Sequence, residues 1–124
     1  MATIYVPVGG ARLAGDLIVP DRADAIVLFA HGSGSSRFST RNQFVARALE
    51  RHALATLLID LLTPEEESLD RRTGHLRFDI PLLAGRLVAL IDWLKRHVQV
   101  GGFPIGLFGA STGAGAARIF PLSP

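Results

Sequence analysis

Three short runs of this chain are apolar at nearly every consecutive position: AIVLFA at 25–30, ALATLLI at 53–59 and FPIGLF at 103–108. A strand that faces water on one side alternates apolar and polar residues, whereas a strand covered on both faces reads as a continuous apolar run. The three runs therefore predict strands held between layers of helix, and the segments separating them supply those helices. Phe44, Val45, Ala48 and Leu49 share one face of a helix reaching about His52, and Thr40-Arg41-Asn42-Gln43 is a capping-box pattern that would start it. Behind Ile80-Pro81, with Asp79 as cap, Leu83, Leu87, Leu90, Ile91 and Leu94 recur at helical spacing until Gly101-Gly102. TPEEESLDRRTG at 63–74 is polar and acidic and reads as an exposed loop or a short irregular helix without a share in the core.

Upstream, the apolar stretches 3–8 and 12–19 flank Gly9-Gly10 and predict an antiparallel hairpin. The whole order predicts an α/β fold in three layers: one domain over 1–124, with a mostly parallel sheet of about five strands made from the hairpin and three parallel strands. Ligands of such sheets gather at the carboxyl ends of the strands. Two glycine-rich segments, HGSGSSR from His31 and GASTGAG from Gly109, leave strands at that edge and should face each other.

Composition narrows the function. The chain has no Cys, so a disulfide framework, a thiolate metal site and a cysteine nucleophile are excluded, and a cytoplasmic location is the expectation. Its 13 basic and 11 acidic residues leave a scattered excess of +2, which marks neither a nucleic-acid nor a membrane surface. Asp16, Asp21 and Asp24 interrupt the apolar stretches of the first thirty residues, so no signal-peptide core or membrane span is drawn there. GASTGAGAAR lacks the lysine of a phosphate loop, and Arg118 stands where a dinucleotide fingerprint needs its last glycine, so no cofactor is expected. Glu65, Glu66 and Glu67 are consecutive and have no His or Cys pattern beside them, which reads as a solvated acidic loop and no metal site.

Gly109-Ala110-Ser111-Thr112-Gly113 fits G-x-S-x-G, where small flanking residues permit a sharp strand-to-helix turn that lifts a serine hydroxyl into a cleft. Ser111 is the candidate nucleophile; the competing reading is a helix N-cap after a tight turn. Gly32, Ser33 and Gly34, after His31, can aim backbone N–H groups at a developing oxyanion, with the N–H of Thr112 as the second donor. His31 reads as a side chain that orients this loop rather than as a base. The rival reading of HGSGSSR is a phosphate nest with Arg37 as its cationic partner. Asp60, closing its strand, reads as a loop-orienting residue, while His52 and His97 sit at helix ends and His75 in a polar loop.

HGSGSSR, TLLIDLLTPEEE, LRFDIPLLAGRL and GASTGAGAA occur in an order and at separations that resemble the dienelactone-hydrolase-like branch of the α/β-hydrolases, up to about Ala117. The resemblance implies Ser111 as nucleophile, an oxyanion hole from Thr112 and the His31–Gly34 loop, and hydrolysis of a small ester, lactone or similar acyl bond. It also implies an acid and then a histidine after the nucleophile. Residues 112–124, TGAGAARIFPLSP, contain neither. The expectation is therefore a hydrolase truncated after the nucleophile turn, lacking the last three strands of the full fold and with little or no turnover of its own. The alternative is a non-catalytic half-domain, or an anion- or acyl-binding module, that completes its sheet by homo-oligomerisation through the edge of strand 103–108.

Overall fold

The computed structural model describes residues 2–31, 37–74 and 79–110. In chain order these form β1 (Ala2–Val8), β2 (Ala11–Ile18), β3 (Ile26–His31), α1 (Thr40–Arg51), β4 (Ala55–Asp60), α2 (Pro64–Thr73), α3 (Ile80–Lys95) and β5 (Ile105–Ala110). The strands make one sheet in the order β1-β2-β4-β3-β5. β3 runs parallel to both β4 and β5, while β1–β2 and β2–β4 are antiparallel. The sheet is thus mixed: the expected hairpin and three parallel strands are all present, and the hairpin joins the parallel part through an antiparallel pair. Gly9 takes φ 56°, the left-handed region a two-residue hairpin turn needs, and Val8 pairs with Ala11 across it.

The unalternating runs are explained by two apolar layers. Ile26, Leu28 and Ala30 of β3 and Leu57 and Ile59 of β4 lie in one cluster with Leu83, Leu87, Leu90 and Leu94 of α3. Phe29 and Leu58, one residue out of phase, pack instead with Ala46, Val45 and Leu49 of α1. Successive strand residues point to opposite faces, so a strand covered twice has no position left for a polar residue. The exception, Thr56, is fully buried and donates its hydroxyl to the Glu50 carboxylate of α1, which Arg47 pairs in turn.

Several boundaries differ from expectation for identifiable reasons. α1 is capped by Ser39, whose side chain accepts from the Asn42 N–H, so Thr40 is the first helical residue. Gln43 does not complete a capping box; its Nε2 donates to the Arg37 carbonyl. The helix stops where Ala53 adopts φ 62° and the N–H groups of Ala53 and Leu54 reach the carbonyls of Glu50 and Leu49. Ala53 therefore belongs to the helix stop, and β4 begins at Ala55. Left-handed backbone costs a residue with a Cβ about 1 kcal/mol. Ala53→Gly is expected to raise stability by about 0.5–1 kcal/mol, read as a higher urea midpoint at constant slope.

Residues 64–73 form a regular helix, because Thr63 and Glu66 make a reciprocal capping box, Pro64 starts it and Gly74 stops it at φ 71°. α3 ends at Lys95, earlier than Gly101-Gly102 suggested. Gly101 instead closes the turn into β5: a Cβ there would lie 2.7 Å from the Lys95 carbonyl oxygen and 2.8 Å from that of His97. β5 starts at Ile105 and is the edge strand among the described residues, which leaves Phe108 36% exposed although its ring touches Phe29 at 5.1 Å.

Candidate functional site

Because β3, β4 and β5 are parallel, their last residues share one edge of the sheet. His31 is in register with Asp60 on one side and with Ala110 on the other, so the three form a single row. Gly109 lies on β5 beside Ala30. The chain positions that follow this row include Gly32, Ser33, Gly34, Ser111, Thr112 and Gly113; these candidates, and His75, lie outside the described residues. The first residues of the two glycine-rich segments, His31 and Gly109-Ala110, thus lie at neighbouring strand ends.

Arg37 and Asp60 are both described, and they touch. The Asp60 carboxylate accepts from the Arg37 backbone N–H at 2.8 Å and from its Nη1 at 3.0 Å. Arg37 Nε lies 3.5 Å from an Asp16 carboxylate oxygen without a hydrogen bond to it, and Asp16 accepts from the Thr3 hydroxyl at 3.1 Å. The Phe38 ring sits under the guanidinium at 4.3 Å. This arrangement bears on the rival phosphate-nest reading: the cation assigned to an anionic ligand is engaged by two carboxylates of the chain itself. Asp60, expected to orient a loop, does hold the first described residue after the glycine segment. Burial pushes its carboxyl above the ordinary 3.8, and the opposing hydrogen bonds and charge of Arg37 do not cancel that effect, to which Asp16 adds repulsion.

His52 and His97 stand elsewhere. His52 caps the end of α1, and His97 follows α3, its ring 5.0 Å from that of Trp93 and its Nδ1 accepting from the Gln99 N–H. Both helices end where the chain turns toward the amino ends of β4 and β5, the opposite edge of the sheet from the carboxyl row. A surface cleft of about 500 Å³ between the Gly9–Gly10 turn and α3, lined also by Leu82, Gly85 and Arg86, includes no residue of that row. Among the described residues no three His, Cys, Asp or Glu side chains are grouped as a metal site, and no helix is long and apolar enough to cross a membrane.

The acidic segment corrects its expected reading. Glu66 accepts from the Thr63 N–H and also receives both Nη atoms of Arg86, whose Nη1 donates to the Leu61 carbonyl as well. This bidentate pair ties α2 and the end of β4 to α3. The signal was present as T-x-x-E at 63–66, but without apolar periodicity it did not stand out. Arg86 holds the Glu66 carboxyl below the ordinary 4.5, outweighing burial. A lowered acid pKa stabilises the fold above the unfolded value and is lost as pH falls through the folded one. Glu66→Gln is accordingly expected to cost about 1–3 kcal/mol at neutral pH, with the gap from wild type closing as denaturation is repeated below pH 4.5.

No protein-family model matches the chain. Dienelactone hydrolase from Anabaena variabilis superposes with a TM-score of 0.89 and 58% identity over 94% of this chain and 54% of that one. Est1E from Butyrivibrio proteoclasticus shares the fold, with a TM-score of 0.75 at 18% identity, over 94% of this chain and 43% of its own. A sequence from Mycobacterium tuberculosis H37Rv, provisionally named a phosphoribosyl transferase, is 50% identical over 121 residues, which are 98% of this chain and 26% of that protein. The chain carries part of an α/β-hydrolase fold. Within that fold its likeness is to the dienelactone-hydrolase type; it spans about half the length of the Anabaena enzyme and about a quarter of the mycobacterial relative.

Proposed function

We propose that this chain carries the nucleophile part of a serine hydrolase that cleaves a small ester, lactone or similar acyl bond in the cytoplasm. Ser111 attacks the acyl carbon, and the N–H groups of Thr112 and of the Gly32–Gly34 segment stabilise the oxyanion. The observation that carries this reading is the register of His31 with Ala110, which starts the oxyanion segment and the nucleophile turn from adjacent strand ends. The general base and its orienting acid are not supplied by residues 112–124, so the reading expects them from further chain, as in the triad order Ser, acid, His. A phosphoribosyl-transfer reading gains little from the mycobacterial name, since the match spans 26% of that protein and Arg37 is already paired.

The test is a chimera in which this chain replaces the matching 54% of Anabaena dienelactone hydrolase. It is expected to hydrolyse p-nitrophenyl acetate; a chimera that melts cooperatively but shows no hydrolysis would count against the reading.

A second reading is favoured by the edge position of β5 among the described residues and by partly exposed Phe108. A second copy pairing along that edge would complete the sheet without catalysis. The chain alone is then expected to sediment as a dimer or larger species, and a monomer at 100 μM would contradict it.

A further inference from the structure

We infer that the substrates of this site carry no negative charge: Asp60 and Asp16 share one cation, Arg37, at the end of β4, and the unbalanced carboxylate favours neutral or cationic esters over carboxylate-bearing ones. The inference rests on the hydrolase reading for where the acyl group is held, and adds the charge of what is held there. Asp60 stands in the carboxyl row beside His31, and His31 stands beside Ala110, which immediately precedes Ser111. Neighbouring strands lie about 4.8 Å apart, so the Asp60 backbone is about 10 Å from the strand end that leads to the nucleophile. Asp16 belongs to the same cluster, with one carboxylate oxygen on the Thr3 hydroxyl and the other 3.5 Å from Arg37 Nε.

Arg37 supplies one positive charge to this cluster and the two aspartates supply two negative ones. The side chains are only 18% exposed for Arg37, 7% for Asp16 and 19% for Asp60, so water and salt screen them weakly. Burial raises the Asp60 carboxyl in spite of Arg37, and repulsion by Asp16 adds to the rise, whereas Glu66, paired with Arg86, moves the other way. Positions 32–36 and 111–117 contain no charged residue that could offset the excess. Arg86 is engaged by Glu66, while Arg12 and Arg41 are exposed, where solvent screens them, and Arg12 is about 13 Å along β2 from Asp16. A field of this sign acts on every substrate that reaches the row and disfavours an anionic one most.

The test gives the chimera three aryl acetates of one skeleton: anionic 3-acetoxybenzoate, its neutral methyl ester, and cationic 3-acetoxyphenyltrimethylammonium. Each kcat/KM for phenol release is divided by that for the methyl ester and compared between parent and variant, so that intrinsic reactivities cancel. In Asp16→Asn, which keeps an oxygen for the Thr3 hydroxyl, the relative kcat/KM of the anionic ester is expected to rise about three- to tenfold and that of the cationic ester to fall by a similar factor. Both changes should shrink in about 0.5 M salt. Asp60→Asn is expected to act in the same direction and decides the matter if the first variant does not fold. Asp92→Asn, at an exposed acid near the far end of α3, changes the net charge equally and is expected to leave the ratios unmoved. Ratios unchanged in the cluster variants, or moved as much by Asp92→Asn, would overturn the inference with the hydrolase reading intact. A folded chimera that hydrolyses none of the three esters would defeat the hydrolase reading itself, and the inference with it.

Discussion

Replacing Ser111 with Ala in the chimera is expected to lower p-nitrophenyl acetate turnover by about 10³-fold or more, with the melting temperature unchanged within a few degrees. Covalent catalysis divides acyl transfer into two easier steps, and the serine, its base and the orienting acid act as one unit. Removing the nucleophile therefore removes nearly the whole of what the unit supplies. What remains is binding and the oxyanion donors, which still polarise the carbonyl for attack by water. A loss of only a few-fold would mean that Ser111 is the N-cap of a helix and that the hydrolysis arises elsewhere.

The second large effect is on stability. Leu87 is fully buried in the middle of α3, in the apolar layer that also contains Leu28, Leu57 and Ile59. Leu87→Ala removes transfer free energy and leaves a cavity that a sheet on one side and a helix backbone on the other cannot easily close. The expected cost is about 2–5 kcal/mol, a large share of what a domain of this size has in total. Phe44 of α1 is 72% exposed, and Phe44→Ala provides the contrast, expected within about 0.5 kcal/mol of wild type. Equal losses at the two positions would contradict the layer assignment.

Much of this architecture is legible in the sequence for the same reason that these two substitutions differ. Runs without alternation at 25–30 and 53–59 mark strands with helices on both faces, and the heptad-like leucines of 83–94 mark the helix that covers one of them. Boundaries were less legible because they depend on backbone torsions and single hydrogen bonds. Ala53 in the left-handed region has no residue signature, unlike Gly9 or Gly74. α2 was obscured because its stability comes from caps and the Arg86 pair rather than from an apolar face, with only Asp70 buried along its length. β5 reads as fully covered by composition, yet among the described residues it is an edge, and which neighbours a strand has is not encoded in its composition.

The sequence points to a candidate site through two glycine segments, and the register of β3 with β4 and β5 gives those segments adjacent starting points. What spacing alone does not disclose is that Arg37 is claimed by Asp60 and Asp16, because those residues come from three distant parts of the chain. Long-range pairing of this kind follows from topology, and only the sheet order brings β2 and β4 side by side.

The most direct measurement is peptide mapping by mass spectrometry after the chimera reacts with a fluorophosphonate ester, which phosphonylates an activated serine hydroxyl. The hydrolase account predicts one adduct, on Ser111, forming at the rate at which esterase activity disappears. An adduct on another residue, or loss of activity with Ser111 unmodified, would contradict it.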